Sequence, residues 1–194
     1  MKLSEYAAYI RKEADLRGYA ADRSRAADPL IRPFALFQDQ QERLLDLQRS
    51  TLSLCWLNDQ RKLIPYDKTS FDAIQSEIRH LQEIITSNSV VLEELEAAVE
   101  DLSIEPLSLG VLRMELAKAL ESITFLKAQP DKDLAHKWKA VLEVGGSRDM
   151  YEALPEVIAA RTEAAAKITP LLAHIETLEH QINSLELILA KFIR

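Results

Sequence analysis

Two short patterns in the 194-residue chain have the spacing of metal ligands, Glu77-Ile78-Arg79-His80 and Asp133-Leu134-Ala135-His136. A carboxylate and an imidazole three residues apart on a helix can enter a bundle core together, as in di-iron four-helix proteins that add carboxylates from facing helices. Placement argues against ligation here. Ile74, Ile78 and Leu81 mark the inward side of their segment, which puts Glu77 on its flank and turns His80 outward. His174 and His180 are six residues apart and fall on different helix faces, so they lack the i,i+4 geometry of a zinc-binding helix. Glu176 and His180, four apart, are expected to form a surface ion pair.

Cys55 is the single cysteine and lies in the apolar run 52–57 with no base beside it. A nucleophilic thiol needs an electropositive surrounding, so Cys55 reads as structural. The chain holds four glycines, against about fourteen at the usual frequency of about 7%. It has no Gly-x-Gly-x-x-Gly, no phosphate-cradling Gly-rich loop and no Gly-x-Ser-x-Gly elbow, which sets aside the enzyme folds that depend on them. The expectation is a non-enzyme with no catalytic residue, no metal ligand and no cofactor. A ferritin-like di-metal protein is kept as a rival on the two Glu/Asp-x-x-His patterns.

The elements that position these residues are helices. Phe71, Ile74, Ile78, Leu81, Ile85, Asn88, Leu92, Leu95, Val99 and Leu102 follow spacings of three and four without a slip, the seam of a coiled-coil-like helix. The same rule yields Leu109, Leu112, Leu116, Ala119, Ile123 and Leu126, and then Val157, Arg161, Ala164, Ile168, Leu171, Ile175, Leu178, Ile182, Leu185, Leu189 and Phe192. Every seam position except Asn88 and Arg161 is apolar. A polar residue in a seam weakens packing while fixing register or partner number, so Asn88 and Arg161 are read as register-specifying, with Arg161 near a helix entrance where its head reaches water.

Proline, glycine and cap residues bound the segments. A mixed-charge first helix is expected within 1–28, followed by a bundle over 29–194 with helices near 34–63, 71–102, 107–128, 131–144 and 155–193. Ser70 is the expected N-cap of the second of these, Pro130 the stop of the third, and Gly145-Gly146 the main break. Pro170 is read as lying within a continuous, kinked helix. The 34–63 helix is apolar around its circumference, which suggests a central helix or one with a face awaiting a partner. The fold class is therefore all-α, an elongated antiparallel helical bundle with long coiled-coil-like helices.

Charge is distributed unevenly. Between Arg79 and Arg113 there is no lysine or arginine, while Glu83, Glu93, Glu94, Glu96, Glu100, Asp101 and Glu105 carry negative charge in a chain whose net charge is -7. Glu93, Glu94, Glu96, Glu100, Asp101 and Glu105 are the candidate partner-binding residues, an acidic helical end steering a basic protein surface. The first segment interleaves Arg11, Lys12, Arg17, Arg23, Arg25 and Arg32 with nearly as many acids. It could pack on the acidic end, and the balance excludes a nucleic-acid partner.

The functional expectation is a protein-protein interaction protein (scaffold, adaptor, assembly chaperone or structural subunit) in a homo-oligomer or hetero-complex. No apolar stretch approaches eighteen residues and the first residues lack a signal-peptide pattern, so a cytoplasmic location is expected. The membrane alternative is an α-helical pore-type subunit, with residues 102–112 as its candidate tongue.

Overall fold

The computed structural model describes residues 2–17, 28–102 and 108–194. Helix accounts for 81% of it, an all-α bundle. The described elements are α1 (Leu3–Arg17), α2 (Arg32–Ser53), β1 (Cys55–Leu57), β2 (Leu63–Pro65), α3 (Lys68–Asp101), α4 (Leu109–Asp133), α5 (Ala135–Glu143), α6 (Arg148–Glu152) and α7 (Pro155–Leu189). They fall into two compact units, one of Met1–Leu109 with Asn183–Arg194, the other Gly110–Ile182. The partner-binding candidate Glu105, and Arg23 and Arg25 of the first segment, lie outside the described residues.

In the first unit α2 packs along α3, and α1 against α2. Leu3, Ala7 and Ile10 of α1 recur at helical spacing and are all buried. Asp28 organises the entry to α2: its carbonyl accepts from Ile31 and Arg32 at 3.0 and 2.9 Å, and its carboxylate accepts from the Leu30 N–H and the Ser108 hydroxyl. Pro33 follows in the first turn, where a missing N–H leaves no bond unmade.

The helix expected to run to residue 63 ends at Ser53, and a two-stranded antiparallel hairpin takes its place. Cys55 pairs with Pro65, Trp56 with Ile64 and Leu57 with Leu63. The turn explains the switch. Arg61 N–H donates to the Asn58 carbonyl at 2.8 Å, Arg61 takes a left-handed φ of 59°, and the Asn58 side chain accepts from the N–H groups of Gln60 and Lys62. This is a tight turn closed by a left-handed residue, flanked by Trp, Leu and Ile, which favour strands. The apolar run at 52–57 therefore reflects a hairpin rather than a central helix. Within α2 only Pro33 and Phe34 are buried, and Leu45 and Leu52 stand exposed.

The N-cap of α3 is Asp67, three residues earlier than expected. Its carboxylate accepts from the N–H groups of Thr69 and Ser70 at 3.1 and 3.2 Å and from the Ser70 hydroxyl, so Ser70 is a donor to the cap. The Ser70 hydroxyl and these backbone donors hold the Asp67 carboxyl below its ordinary range. Along α3 the three-four seam faces inward: Ile78, Leu81, Asn88, Leu92, Leu95 and Val99 are buried, joined by Val91.

In the second unit α4 continues through Pro130 to Asp133 instead of stopping. Proline removes one donor, yet the Pro130 carbonyl still accepts from Leu134 at 3.0 Å, and the helix turns over only there. Ala119 and Ile123 of α4 form a core with Ile175 of α7, and Leu116, Ile168 and Leu171 pack against it. Pro170 lies inside the continuous helix α7. The glycine pair closes α5: Gly145 N–H donates to the Leu142 carbonyl and Gly146 N–H to that of Val141, with Gly145 at φ 72°. This is a Schellman cap, and a Cβ at Gly146 would meet Val141 Cγ1 at 2.5 Å, so both positions require glycine. Ser147 then caps the short helix α6.

Helix α7 ends at Leu189, four residues before the expected limit, and the backbone of Ile193 beyond it bonds to Asn88.

Candidate functional site

Among the described residues Asn88 is the one polar residue that is buried in the first unit, with none of its surface exposed. Its Nδ2 donates to the Ile193 carbonyl at 2.7 Å and to Gln40 Oε1 at 3.0 Å, while Oδ1 accepts from the Ile193 N–H at 2.8 Å. Gln40 Nε2 donates to the same Ile193 carbonyl at 3.2 Å. The Asn88 amide thus pairs with the Ile193 backbone as a neighbouring strand would, and satisfies both of its own donors. Gln40 of α2, Asn88 of α3 and the segment after α7 meet in one polar layer.

That layer places Lys191 on the acidic stretch. Lys191 Nζ donates to both oxygens of Glu94, at 2.6 and 2.9 Å. Glu96 Oε1 accepts from the Ser4 N–H at 2.9 Å, at the first turn of α1, where unpaired amides and the helix dipole favour a carboxylate. The described contact of the first helix with the acidic stretch therefore uses a backbone amide. Glu93, Glu100 and Asp101 stand exposed, and none of the three makes an ion pair among the described residues. Two of the partner-binding candidates are thus engaged within the chain.

A cleft of about 300 Å³ opens beside them. One wall is Phe34, Phe37, Gln38 and Gln41 of α2, the other Ser89, Leu92, Glu93 and Glu96 of α3, and Ser4 closes an end. Each wall has i, i+3, i+4, i+7 spacing, so each is a single stripe of its helix. The floor is apolar, the rim carries two carboxylates, and among the described residues no lysine or arginine lines it. Sequence reasoning found the two glutamates through the charge gap but missed Phe34, Phe37 and Leu92 as their neighbours, since nothing in one stripe announces which other stripe faces it.

The second seam intruder, Arg161, is paired rather than merely solvated. Its Nη2 donates to Asp131 Oδ1 at 3.2 Å and Glu152 Oε1 at 3.4 Å, and Arg148 reaches the same two carboxylates at 3.0 and 2.9 Å. The Arg148 guanidinium also lies over the rings of Tyr151 and Trp138, 5.1 and 5.6 Å from their centroids. Those rings meet edge to face at 5.4 Å. Partial burial raises the Asp131 carboxyl, but the hydrogen bonds from Arg148 and Arg161 outweigh it and hold the group below its ordinary range; Arg148 lowers Glu152 likewise.

The metal-like patterns are taken up differently. Glu77 pairs with Arg43, Asp133 accepts from Gln129 Nε2 at 2.7 Å, and His80 and His136 are exposed. Among the described residues no group of three His, Cys, Asp or Glu is placed to hold a metal ion. Glu176 and His180 are both exposed and form no ion pair, contrary to expectation. A fully solvated pair gains too little Coulomb energy to hold two rotamers.

Two outcomes follow from this geometry. Asn88→Ala, which leaves the Ile193 groups without their partner, is expected to lower unfolding free energy in urea by about 1–3 kcal/mol. Amide exchange at Ile193 should accelerate to the rate of an open segment while Leu95 stays protected. For the ion cluster, the lowered carboxyls bind protons less readily folded than unfolded, so their stabilisation is full above the ordinary carboxylate range and lost as pH falls through it. Thermal unfolding from about pH 5 to about pH 3 should show a smaller loss in Asp131→Asn than in the native chain. Comparison with protein families, characterised proteins and solved structures gives no match, so the functional reading rests on this chain's own residues.

Proposed function

We propose that this chain is a non-catalytic interaction protein, a scaffold, adaptor, assembly chaperone or complex subunit that presents the acidic end of α3 to a basic protein surface. The observation that carries the reading is charge placed against the helix's own interest. The last turn of α3 holds Glu100 and Asp101 and no base, although the macrodipole disfavours acids there by about 0.3–1 kcal/mol each. Local choices that work against stability concentrate where a surface serves something else. In the same unit α2 also carries the exposed apolar side chains Leu45 and Leu52, farther along the helix from the cleft.

The test uses Glu93→Lys, Glu100→Lys and Asp101→Lys together, which leaves the internally engaged Glu94 and Glu96 untouched. Affinity purification from native extract should recover a specific protein with the native chain and lose it with the triple variant. Binding of that purified partner should weaken steeply as salt rises. Equal recovery by the two forms overturns the reading.

A second reading, a membrane-acting subunit, is favoured by the hairpin. Trp56, Leu57 and Leu63 are 43, 63 and 54% exposed. Leu57 and Leu63 share one face of the ribbon and Trp56 with Ile64 occupies the other, so both faces are apolar. A protein groove covers one face, whereas lipid covers both. Among the described residues no helix is long and apolar enough to cross a membrane, and three-residue strands are too short to span one, so contact would be interfacial. The earlier candidate tongue at 102–112 lies partly outside the described residues, and its Leu109 and Leu112 are buried. With Trp138→Phe leaving Trp56 as the sole tryptophan, emission should shift to the blue on addition of anionic vesicles, and dye should leak from them. No shift and no leakage would remove this reading.

A further inference from the structure

The cleft between α2 and α3 combines features that the acidic end alone does not have. We infer that it receives a single arginine side chain from the basic partner, an assignment that rests on the interaction reading and names the chemistry of its contact. The floor is Phe34, Phe37 and Leu92, and two of these, Phe34 and Leu92, are nearly covered already. Such a floor accepts the apolar stem of a long side chain, which keeps its charged head at the rim.

The head's site is defined by Glu93 and Glu96. They lie one turn apart on α3, about 5–6 Å between Cβ atoms, a spacing across which one planar guanidinium can meet both carboxylates. Glu96 is held in place by the Ser4 N–H, a neutral donor that orients the carboxylate and leaves its charge unspent. Among the described residues Glu93 makes no ion pair and no lysine or arginine lines the cleft. Two negative charges over an aromatic floor thus face a volume of about 300 Å³, the lower limit of ordinary ligand pockets. Arginine fits better than lysine, because its flat fork matches carboxylates and stacks on aromatic rings where an ammonium is a hydrated point charge. The neighbouring charges complete the contrast: Glu94 is matched by Lys191, while among the described residues no lysine or arginine pairs with Glu93 or Glu96.

The experiment uses the full chain, labelled with nitrogen-15, and three probes: capped Leu-Arg-Leu, capped Leu-Gln-Leu and hexylguanidinium. The arginine peptide should produce saturable shifts at the amides of Phe37, Ser89 and Glu93, and the glutamine peptide none. Glu93→Gln with Glu96→Gln keeps an oxygen for the Ser4 N–H and should weaken the arginine peptide at least about tenfold. Absent shifts, equal shifts with both peptides, or shifts indifferent to the double variant would overturn the assignment. Binding of hexylguanidinium without the arginine peptide would also overturn it, in favour of a small organic cation. Ser89→Phe fills the cleft while keeping every charge. Loss of the purified partner by this variant supports the inference. Partner binding that survives Ser89→Phe yet is lost on charge reversal overturns the cleft while the acidic-end reading stands. Arginine-peptide binding in the cleft with no charge-dependent partner overturns the broader reading instead.

Discussion

A buried amide has to be paired, and at Asn88 the partner is the backbone of Ile193. In a seam otherwise made of Phe, Ile, Leu and Val, an unpaired carboxamide would cost about 1–3 kcal/mol. The requirement governs much of the first unit. The Ile193 N–H donates to Asn88, a bond it could not make while bonded within a continued helix, and α7 has ended at Leu189. Once out of the helix, the segment brings Lys191 onto Glu94. Gln40 joins the layer from α2, which ties the antiparallel pair of long helices to the segment after α7 at a single level. Apolar seams are tolerant of sliding because one leucine resembles another; a layer with directional bonds is not.

The acidic stretch acquires its character from the same arrangement. In the sequence it is a run without a base. In the folded chain one glutamate is neutralised by Lys191, a second is oriented by the first turn of α1, and Glu93, Glu100 and Asp101 face solvent. Internal pairing therefore sorts chemically similar side chains into structural and available ones. The cleft arises at the boundary between those classes, where the stripe of α3 that carries Glu93 and Glu96 runs beside the aromatic stripe of α2. In the second unit Arg161 shows the opposite outcome: a charged seam residue enters a four-member network with Arg148, Asp131 and Glu152, and its charge is consumed there.

Much of the helical content was legible because spacing is a direct image of helix geometry. Ile78, Leu81, Leu92 and Leu95 recur at three and four, and the same residues are buried. Gly145-Gly146 was legible as a break because a left-handed cap and a close backbone approach each exclude a side chain. The hairpin was not legible. An apolar run such as 52–57 has no period that separates a strand from a buried helix, and the deciding turn at Asn58 to Arg61 contains no glycine to announce it. Asp67 and Ser70 are both good cap residues, and only the direction of their hydrogen bonds distinguishes the cap from its donor.

The sequence by itself determined the all-α class, the inward faces of α3, α4 and α7, the position of two polar intruders in their seams and the absence of lysine and arginine between Arg79 and Arg113. These are properties of order and spacing along one strand of chain, and local geometry translates them directly. The tertiary structure alone decided that Asn88 grips a backbone 105 residues away, that Glu94 and Glu96 are engaged while Glu93 is open, and that Phe34 and Leu92 share a floor. Each of those depends on which stripe of one helix lies against which stripe of another. Many pairings bury similar apolar area, and the directional bonds that mark this one close only in the folded chain.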